Sequence, residues 1–333
     1  MIRRIPLVAI TGALLAVAFL VAGALIGPLA TAPPVRPNPS DAPVGSSPTP
    51  APTPTSTESS MPSVSAAPSP PSSPPPSLPP GEVPILYYHR VQAPPPDFAT
   101  WSAARQRTFL MYDTLPAAFR AQLDWLIGHG YTTILPRDLA AHWDLGQILP
   151  AKSVILSFDD GSPTWVTRVL PALRQRGMVA EFYLTLTAIA QQEIRWSDVQ
   201  RLADAGNGIG AHDVHHVQLA GIPGGRPATP AVMWREITAV RSVISAHVGT
   251  IPDSMAFVGG GYDATLLALV KKAGYTTARS IDRGIEQSAA HRFRLRVVRI
   301  GARDDVIDPL TGTLVAGLPT FTARMQGVSD KRQ

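Results

Sequence analysis

The sequence predicts an α/β fold, a closed or distorted (β/α) barrel that takes up everything after the first quarter of the chain. Three observations predict it. Short apolar, β-branched runs alternate with amphipathic segments of about 10–15 residues, the pattern of parallel strands joined by crossover helices. Seven or eight such units follow one another in about 245 residues, which suits a closed barrel better than an open sheet. Chemistry-bearing residues stand where the strand runs end, the edge at which such folds place their ligand sites.

The first quarter cannot join that fold. Arg3 and Arg4 precede an uncharged apolar run from about Leu7 to Ala30, long enough to cross about 30 Å of hydrocarbon. Residues 1–32 therefore read as a signal anchor or signal peptide, with the positive residues on the cytoplasmic side and all that follows outside. Ala30-Thr31-Ala32 is similar to a small-residue cleavage site, but Pro33 directly after it favours an uncleaved anchor. The chain is expected to be exported, held at the membrane through this segment or secreted if it is cut. Residues 33–82 are almost all Pro, Ser, Thr and Ala and carry about half of the 35 prolines. Too little apolar surface is present to offset ordering entropy, so a disordered, semi-extended stalk is predicted.

The 333 residues include no cysteine, which excludes disulfides and thiolate metal sites and leaves any metal to His and carboxylate. The formal net charge of +5 is scattered without a long basic run. That pattern suits anionic envelope polymers as well as nucleic acid and discriminates poorly between them, and no nucleic-acid partner is expected.

The folded domain is expected over residues 83–324, with 325–333 a tail. Val83 to Tyr88 reads as the first strand, with Pro84 tolerable near its start, and it delivers His89 and Arg90. Gln92 to Thr114 shows no period and reads as a long loop or lid. Ala117 to Ile127 is a helix with Phe119, Leu123, Leu126 and Ile127 on its stripe, closed by Gly128 and Gly130. Tyr131 to Leu135 is a strand and Arg137 to Trp143 a short helix.

Lys152 to Leu156 is a buried strand leading into Ser157-Phe158-Asp159-Asp160-Gly161. Trp165 to Arg176 is a helix ended by Gly177, Val179 to Leu184 a strand, and Trp196 to Ala205 a helix stopped by Gly206. A short strand through Ile209 leads to His212. Ala231 to Val248 is the longest helix, with Val232, Ile237, Val240 and Ile244 on one face. Ser254 to Val258 is a strand ending in Gly259-Gly260-Gly261, and Asp263 to Ala273 a helix closed by Gly274. Tyr275 to Arg279 and Arg294 to Ile300 finish the sheet.

Adjacent carboxylates at a strand end repel when both are ionised, and a bound cation relieves the repulsion. By itself Asp159-Asp160-Gly161 is also ordinary turn chemistry. In His212-Asp213-Val214-His215-His216, the first and last imidazoles stand four apart and would share one face of a helical turn. Two imidazoles and one carboxylate form a standard catalytic set for a divalent metal with an open position, and Asp160 is the natural third ligand. Asp213 either orients a ligand or solvates its loop, and His215 lies beside the site or at the surface. Glycines 259–261 let backbone amides approach a substrate closely, which suits an oxyanion site as well as a flexible turn.

Ser-Phe-Asp-Asp-Gly followed by His-x-x-x-His resembles the metal-dependent polysaccharide deacetylases that share the NodB homology domain, carbohydrate esterase family four. The likeness extends to Ile85-Leu86-Tyr87-Tyr88-His89-Arg90-Val91, Gly130-Tyr131-Thr132-Thr133, Leu149-Pro150, Gly177-Met178 and Gly274-Tyr275. It covers about residues 83 to 300.

The resemblance implies a distorted (β/α) barrel that removes N-acetyl groups from an amino-sugar polymer (peptidoglycan, poly-N-acetylglucosamine or chitin-like), usually with Zn2+. It implies that Asp160, His212 and His216 hold the metal and that Asp159 is the general base toward a water. The Tyr-His-Arg start is similar to the branch in which an N-terminal histidine is the general acid, which gives His89 that role. Amides at Gly259 and Gly260 would receive the oxyanion. Two positions depart from the pattern: Asp213 stands where Ser or Thr is usual, and Phe257-Val258-Gly259-Gly260 replaces aromatic-Pro-Tyr-Gly. The second removes a side wall of the sugar site while keeping the amide, so an altered substrate pocket is expected. The alternatives are a catalytically impaired glycan-binding module of the same fold and an O-deacetylase of the acetylxylan-esterase kind.

Overall fold

The computed structural model describes residues 81–222, 225–301, 306–307, 314–315, 321–322 and 325. The export segment expected at 1–32 and nearly all of the stalk expected at 33–82 lie outside the described residues. No helix among the described residues is long and apolar enough to cross a membrane.

The strands among the described residues are β1 (Ile85–Tyr88), β2 (Arg90–Val91), β3 (Asp113–Thr114), β4 (Thr132–Thr133), β5 (Ser153–Asp160), β6 (Glu181–Leu184), β7 (Gly208–Ala211), β8 (Ser254–Ala256), β9 (Thr277–Arg283), β10 (Leu295–Arg299), β11 (Val306–Ile307) and β12 (Leu314–Val315). Seven of them close a parallel ring in the order β1-β10-β9-β8-β7-β6-β5, with β5 returning to β1. This is the α/β barrel that the strand–helix alternation predicts. The short β4 stays outside the ring. It takes the edge of β5 at Ser153 and Val154, and β1 takes the same edge from Ile155 to Phe158. Only two residues of the expected Tyr131–Leu135 strand pair in this way, because Pro136 starts a helix there and ends the extended run.

The helices are α1 (Ala103–Tyr112), α2 (Pro116–Gly128), α3 (Pro136–Leu145), α4 (Leu170–Arg174), α5 (Leu186–Ala190), α6 (Trp196–Asp204), α7 (Pro230–Val248) and α8 (Ala264–Lys272). Local chemistry sets several of their ends. Thr229 accepts the Val232 amide and Pro230 opens α7, while Gly249 closes it in the left-handed region at φ 74°. Asp263 caps α8 through the Leu266 amide at 2.7 Å. Along α7 the buried stripe is Met233, Ile237, Val240, Ile244 and Val248, so Met233 heads it in place of Val232.

Three expectations are corrected here. The expected loop or lid from Gln92 to Thr114 contains α1, and its β3 pairs with β2. The helix escaped notice because Phe109 is its one fully buried residue, so it carries no apolar stripe. The helix expected from Trp165 to Arg176 is present but ends at Arg174, and it opens with a π-helical turn, Trp165–Val169, that runs directly into α4, with Pro171 in the first turn of α4. Met325, expected in the tail, is buried in the main core.

Alternate residues along the strands separate two environments. Leu86, Tyr88, Val154, Leu156, Phe158, Phe182 and Leu184 pack under the helices in the larger core. Their neighbours Ile85, Tyr87 and Ile155 join a smaller cluster that Ile134, Leu139 and Trp143 complete at the starts of the strands. Higher along that inner face the barrel is polar: Ser157, Asp159, Glu181, Ser254, Thr277 and Arg279 are all buried. The glycines of β7 make room for it. A Cβ at Gly208 would overlap Glu181 Oε2, and one at Gly210 would lie 2.5 Å from the Tyr183 ring.

Glu181 accepts a hydrogen bond from Ser254 Oγ at 2.5 Å, and burial, with Asp253 nearby, pushes its carboxyl up to about 8. A carboxyl raised on folding binds its proton more tightly in the native state. Its stability contribution is therefore full below the unfolded value of 4.5 and is lost as pH rises toward about 8. Glu181→Gln is expected to flatten that decline. Denaturant unfolding at pH 5 and pH 8.5 should show wild type losing on the order of a few kcal/mol more than the variant; equal losses would place the pH dependence elsewhere.

Candidate active site

Asp159 and Asp160 end β5, and His212 follows β7 directly, so register alone brings two strand ends to the same rim: Asp160 pairs with Leu184 and Leu184 with Ala211. His212 Nε2 lies 3.3 Å and His216 Nε2 3.0 Å from Asp160 Oδ1. The donor atoms of Asp160, His212 and His216 all fall within 4.8 Å of one another. His212 and His216 do not share a helical face as their spacing suggests. Residues 212–216 form an irregular turn with Asp213 at φ 58° and His216 at φ 56°, and Asp160 itself sits at φ 81°. Such left-handed non-glycine residues are strained and persist only where their surroundings hold them.

The surroundings that hold this turn are visible. Asp213, buried, accepts the His216 amide at 2.5 Å and the Val217 amide at 3.1 Å. Its carboxylate thus shapes the loop, and burial lifts it to about 6. Buried Glu236 of α7 accepts the amides of Val214 and His215 and meets His215 Nδ1 at 2.8 Å. Thr185 and Thr187 hydroxyls donate to the Val214 carbonyl. On the other side, a Cβ at Gly161 would lie 2.5 Å from Ala188, so only glycine passes there.

The residues fit a divalent cation. His212 Nδ1 contacts the Ala256 carbonyl at 2.8 Å; a carbonyl only accepts, so Nδ1 carries the proton and Nε2 turns a lone pair toward Asp160. Asp160 Oδ1 is buried without a hydrogen-bond partner. A lone pair facing an orphaned carboxylate oxygen is repulsive unless a cation or a proton lies between them. Burial would lower the His212 imidazole, but Asp159 and then Asp160 outweigh it and lift it to about 9. Burial would raise Asp160, yet the contacts with His212 and His216 hold it far below the usual carboxylate range. The side chains of Asp160 and His216 are 37 % and 43 % exposed, which leaves the cluster open on one side, as a catalytic site requires.

Asp159 is buried beside the cluster, with its Oδ2 3.7 Å from His212 Nε2 and its Oδ1 paired with Arg279 of β9. Arg279 is fully buried, with its guanidinium 4.4 Å from the Tyr87 ring centroid and 5.0 Å from that of Tyr183. His89 also reaches the cluster, its Nε2 3.9 Å from Asp160 Oδ2 and 3.0 Å from the Tyr87 hydroxyl. Tyr112 meets the His89 ring edge-on at 4.6 Å, and Trp165 Nε1 donates to the His89 carbonyl at 3.0 Å. Burial pushes the His89 imidazole down to about 4, against the pull of Asp159 and Asp160.

Gly259 and Gly260 lie in a 3-10 turn after β8 at φ 64° and 73°. The Gly260 amide donates to the Phe257 carbonyl at 2.8 Å. That N–H is committed to the turn, which corrects the expectation of a Gly260 donor and leaves Gly259. The Gln218 side chain occupies the place where a Gly259 side chain would start, with Nε2 2.7 Å from that Cβ position.

Reading of the sequence missed Arg279, Tyr87, Glu236 and Gln218. The one signal for Arg279 was a charge in the middle of a strand, flanked by small residues Ala278 and Ser280, and Glu236 looked like any polar position on a long helix. Glu236→Ala is expected to lower metal affinity about 10-fold while leaving all three donors in place. Metal titration reads this, and an unchanged affinity would mean that Asp213 and the two threonines hold the loop unaided.

A family model described as polysaccharide deacetylase matches residues 146–278, the span that carries Asp159, Asp160, His212, His216 and Gly259. YxkH of Bacillus subtilis (strain 168), provisionally named a polysaccharide deacetylase, is 21 % identical over 224 residues, covering 63 % of this chain and 78 % of that protein. Among solved structures, the deacetylase PplD of Streptococcus pyogenes, in complex with acetate, aligns with a TM-score of 0.58 and 21 % identity, over 66 % of this chain and 92 % of that one. IcaB of Ammonifex degensii aligns with a TM-score of 0.55 and 18 % identity, over 74 % and 98 %. At those identities the structural likeness is one of fold.

Proposed function

The chain belongs, through residues 146–278, to the polysaccharide deacetylase family, and from that premise we propose that it is a metal-dependent N-deacetylase of an extracellular or cell-envelope amino-sugar polymer. The observation that carries this reading is the meeting of His212 and His216 on one oxygen of Asp160, at 3.3 and 3.0 Å, beside a separate buried carboxylate. Asp160, His212 and His216 would hold the cation, for which the two-imidazole, one-carboxylate set suits Zn2+. When bound, the metal supplies Lewis acidity at the acetyl carbonyl and a lowered pKa for the attacking water.

Asp159 takes the proton of that water, and Arg279 keeps its carboxylate oriented. The Gly259 amide would receive the charge that develops on the carbonyl oxygen. His89 delivers a proton to the departing amine. Because burial holds the imidazole neutral at rest, at about 4, that proton is one acquired during turnover, after Asp159 has drawn it from the water. The uncharged apolar run from about Leu7 to Ala30, preceded by Arg3 and Arg4, supports a reading in which this chemistry takes place outside the membrane.

The test is acetate release from N-acetylglucosamine oligomers by the full-length protein, before and after removal of metal by chelation. Release that stops with chelation and returns with Zn2+ is expected. Polymer binding without release in either state would favour the impaired binding module, and release from O-acetylated xylan alone would favour the esterase.

A further inference from the structure

Resting on the glycan-deacetylase reading of the neighbouring site, we propose that a basic pocket at the end of β9 holds an acidic substituent, carboxylate or phosphate, of the polymer. Tyr262, Asp282, Arg283, His291, Arg294 and Arg296 line a depression of about 260 Å³. One turn of chain separates it from the candidate metal loop. Gln218, two residues after His216, packs over Gly259; Gly260 packs on Ile281, the residue before Asp282; and Tyr262 follows Gly261 and donates to Asp282 Oδ2 at 2.9 Å. A polymer that lies across the metal loop and this turn arrives at the pocket.

The charges are unbalanced. Three guanidiniums and an imidazole share the lining with the Asp282 carboxylate, which accepts from Tyr262, and with Glu286 paired to Arg296 at the rim there are still three guanidiniums to two carboxylates. Grouped cations repel, and an anion between them replaces the repulsion with charge-assisted hydrogen bonds, for which the planar guanidinium fork matches carboxylate and phosphate alike.

The arrangement is also held in place. The Arg296 amide donates to Gln287 Oε1 at 3.1 Å, and its carbonyl accepts from Gln287 Nε2 at 3.0 Å. Its guanidinium meets Glu286 at 3.0 Å on the exposed side. A Cβ at Gly284 would come within 2.7 Å of Arg296 Cδ, so the glycine lets the arginine stem cross the backbone there. The volume falls below the roughly 300–1,000 Å³ of a site for a drug-sized ligand, so it takes one charged group of a sugar unit rather than a length of chain. A neutral glycan, or one made cationic by deacetylation, gains nothing from such a pocket, which assigns the substrate to the anionic glycans.

Calorimetric binding to the full-length protein tests this with three N-acetylated oligosaccharides of equal length: neutral, carboxylate-bearing and phosphate-bearing. Wild type is expected to bind at least one anionic oligosaccharide about tenfold more tightly than the neutral one, with the advantage shrinking as salt is raised. The pair Arg294→Ala and Arg296→Ala is expected to abolish that advantage and leave neutral binding unchanged; whichever anion shows the larger loss identifies the substituent. Equal affinity of wild type for all three, or a variant that weakens the neutral oligomer as much as the charged ones, overturns the pocket. Binding is read apart from turnover. Charge-selective binding without acetate release would keep the pocket and sink the deacetylase reading, whereas acetate release without charge selectivity would do the reverse.

Discussion

Asp160→Ala is expected to abolish metal binding and to bring acetate release down to the uncatalysed background. One oxygen of this side chain meets both His212 and His216, so its loss removes the shared point of the cluster. The fall in metal affinity should exceed the about 10–100-fold that loss of an outer partner costs. Metal content after dialysis and acetate release read the two effects independently. The fold should survive, because the Asp160 side chain is 37 % exposed and alanine adds no atoms at a residue held at φ 81°. Metal retained at wild-type stoichiometry in a folded variant would show that the three side chains do not form one site.

The second large effect concerns stability. Arg279→Met leaves the buried Asp159 carboxylate without its partner, and breaking a buried ion pair from one side costs about 3–5 kcal/mol. Asp159→Asn alone strands the guanidinium between Tyr87 and Tyr183 and should cost a similar amount. The double variant removes both charges and is expected to cost less than the sum of the two single losses, by at least about 1–3 kcal/mol in a denaturant double-mutant cycle. Additive losses would mean that Arg279 matters for packing against the two tyrosines and not for holding the base. Acetate release separates the roles further. On the proposed mechanism the double variant should turn over about 10²–10⁴-fold more slowly than wild type.

The ring of seven strands was legible in the chain because parallel strands covered by helices must be apolar and must alternate with amphipathic segments. Lys152 to Asp160 illustrates this, since its β-branched run and its carboxylate terminus were both readable before any pairing was known. The helix Ala103–Tyr112 was not legible, because Phe109 alone is buried and so it has no apolar stripe to announce it. The turn at 212–216 was misread as helical for a related reason: a spacing of four is compatible with a helix, and nothing local says that Asp213 will fold back onto the His216 amide.

The sequence alone determined the identity of the chemical groups: two imidazoles, two adjacent carboxylates, no thiol, and strand ends to carry them. Tertiary structure decided which groups face one another. Barrel closure put Arg279 against Asp159 across 120 positions of chain and placed Glu181 in the space left by Gly208 and Gly210. It also assembled the arginine-lined pocket beside the glycine turn. Such pairings depend on the register and tilt of strands distant in sequence, which the side-chain pattern of any one strand does not record.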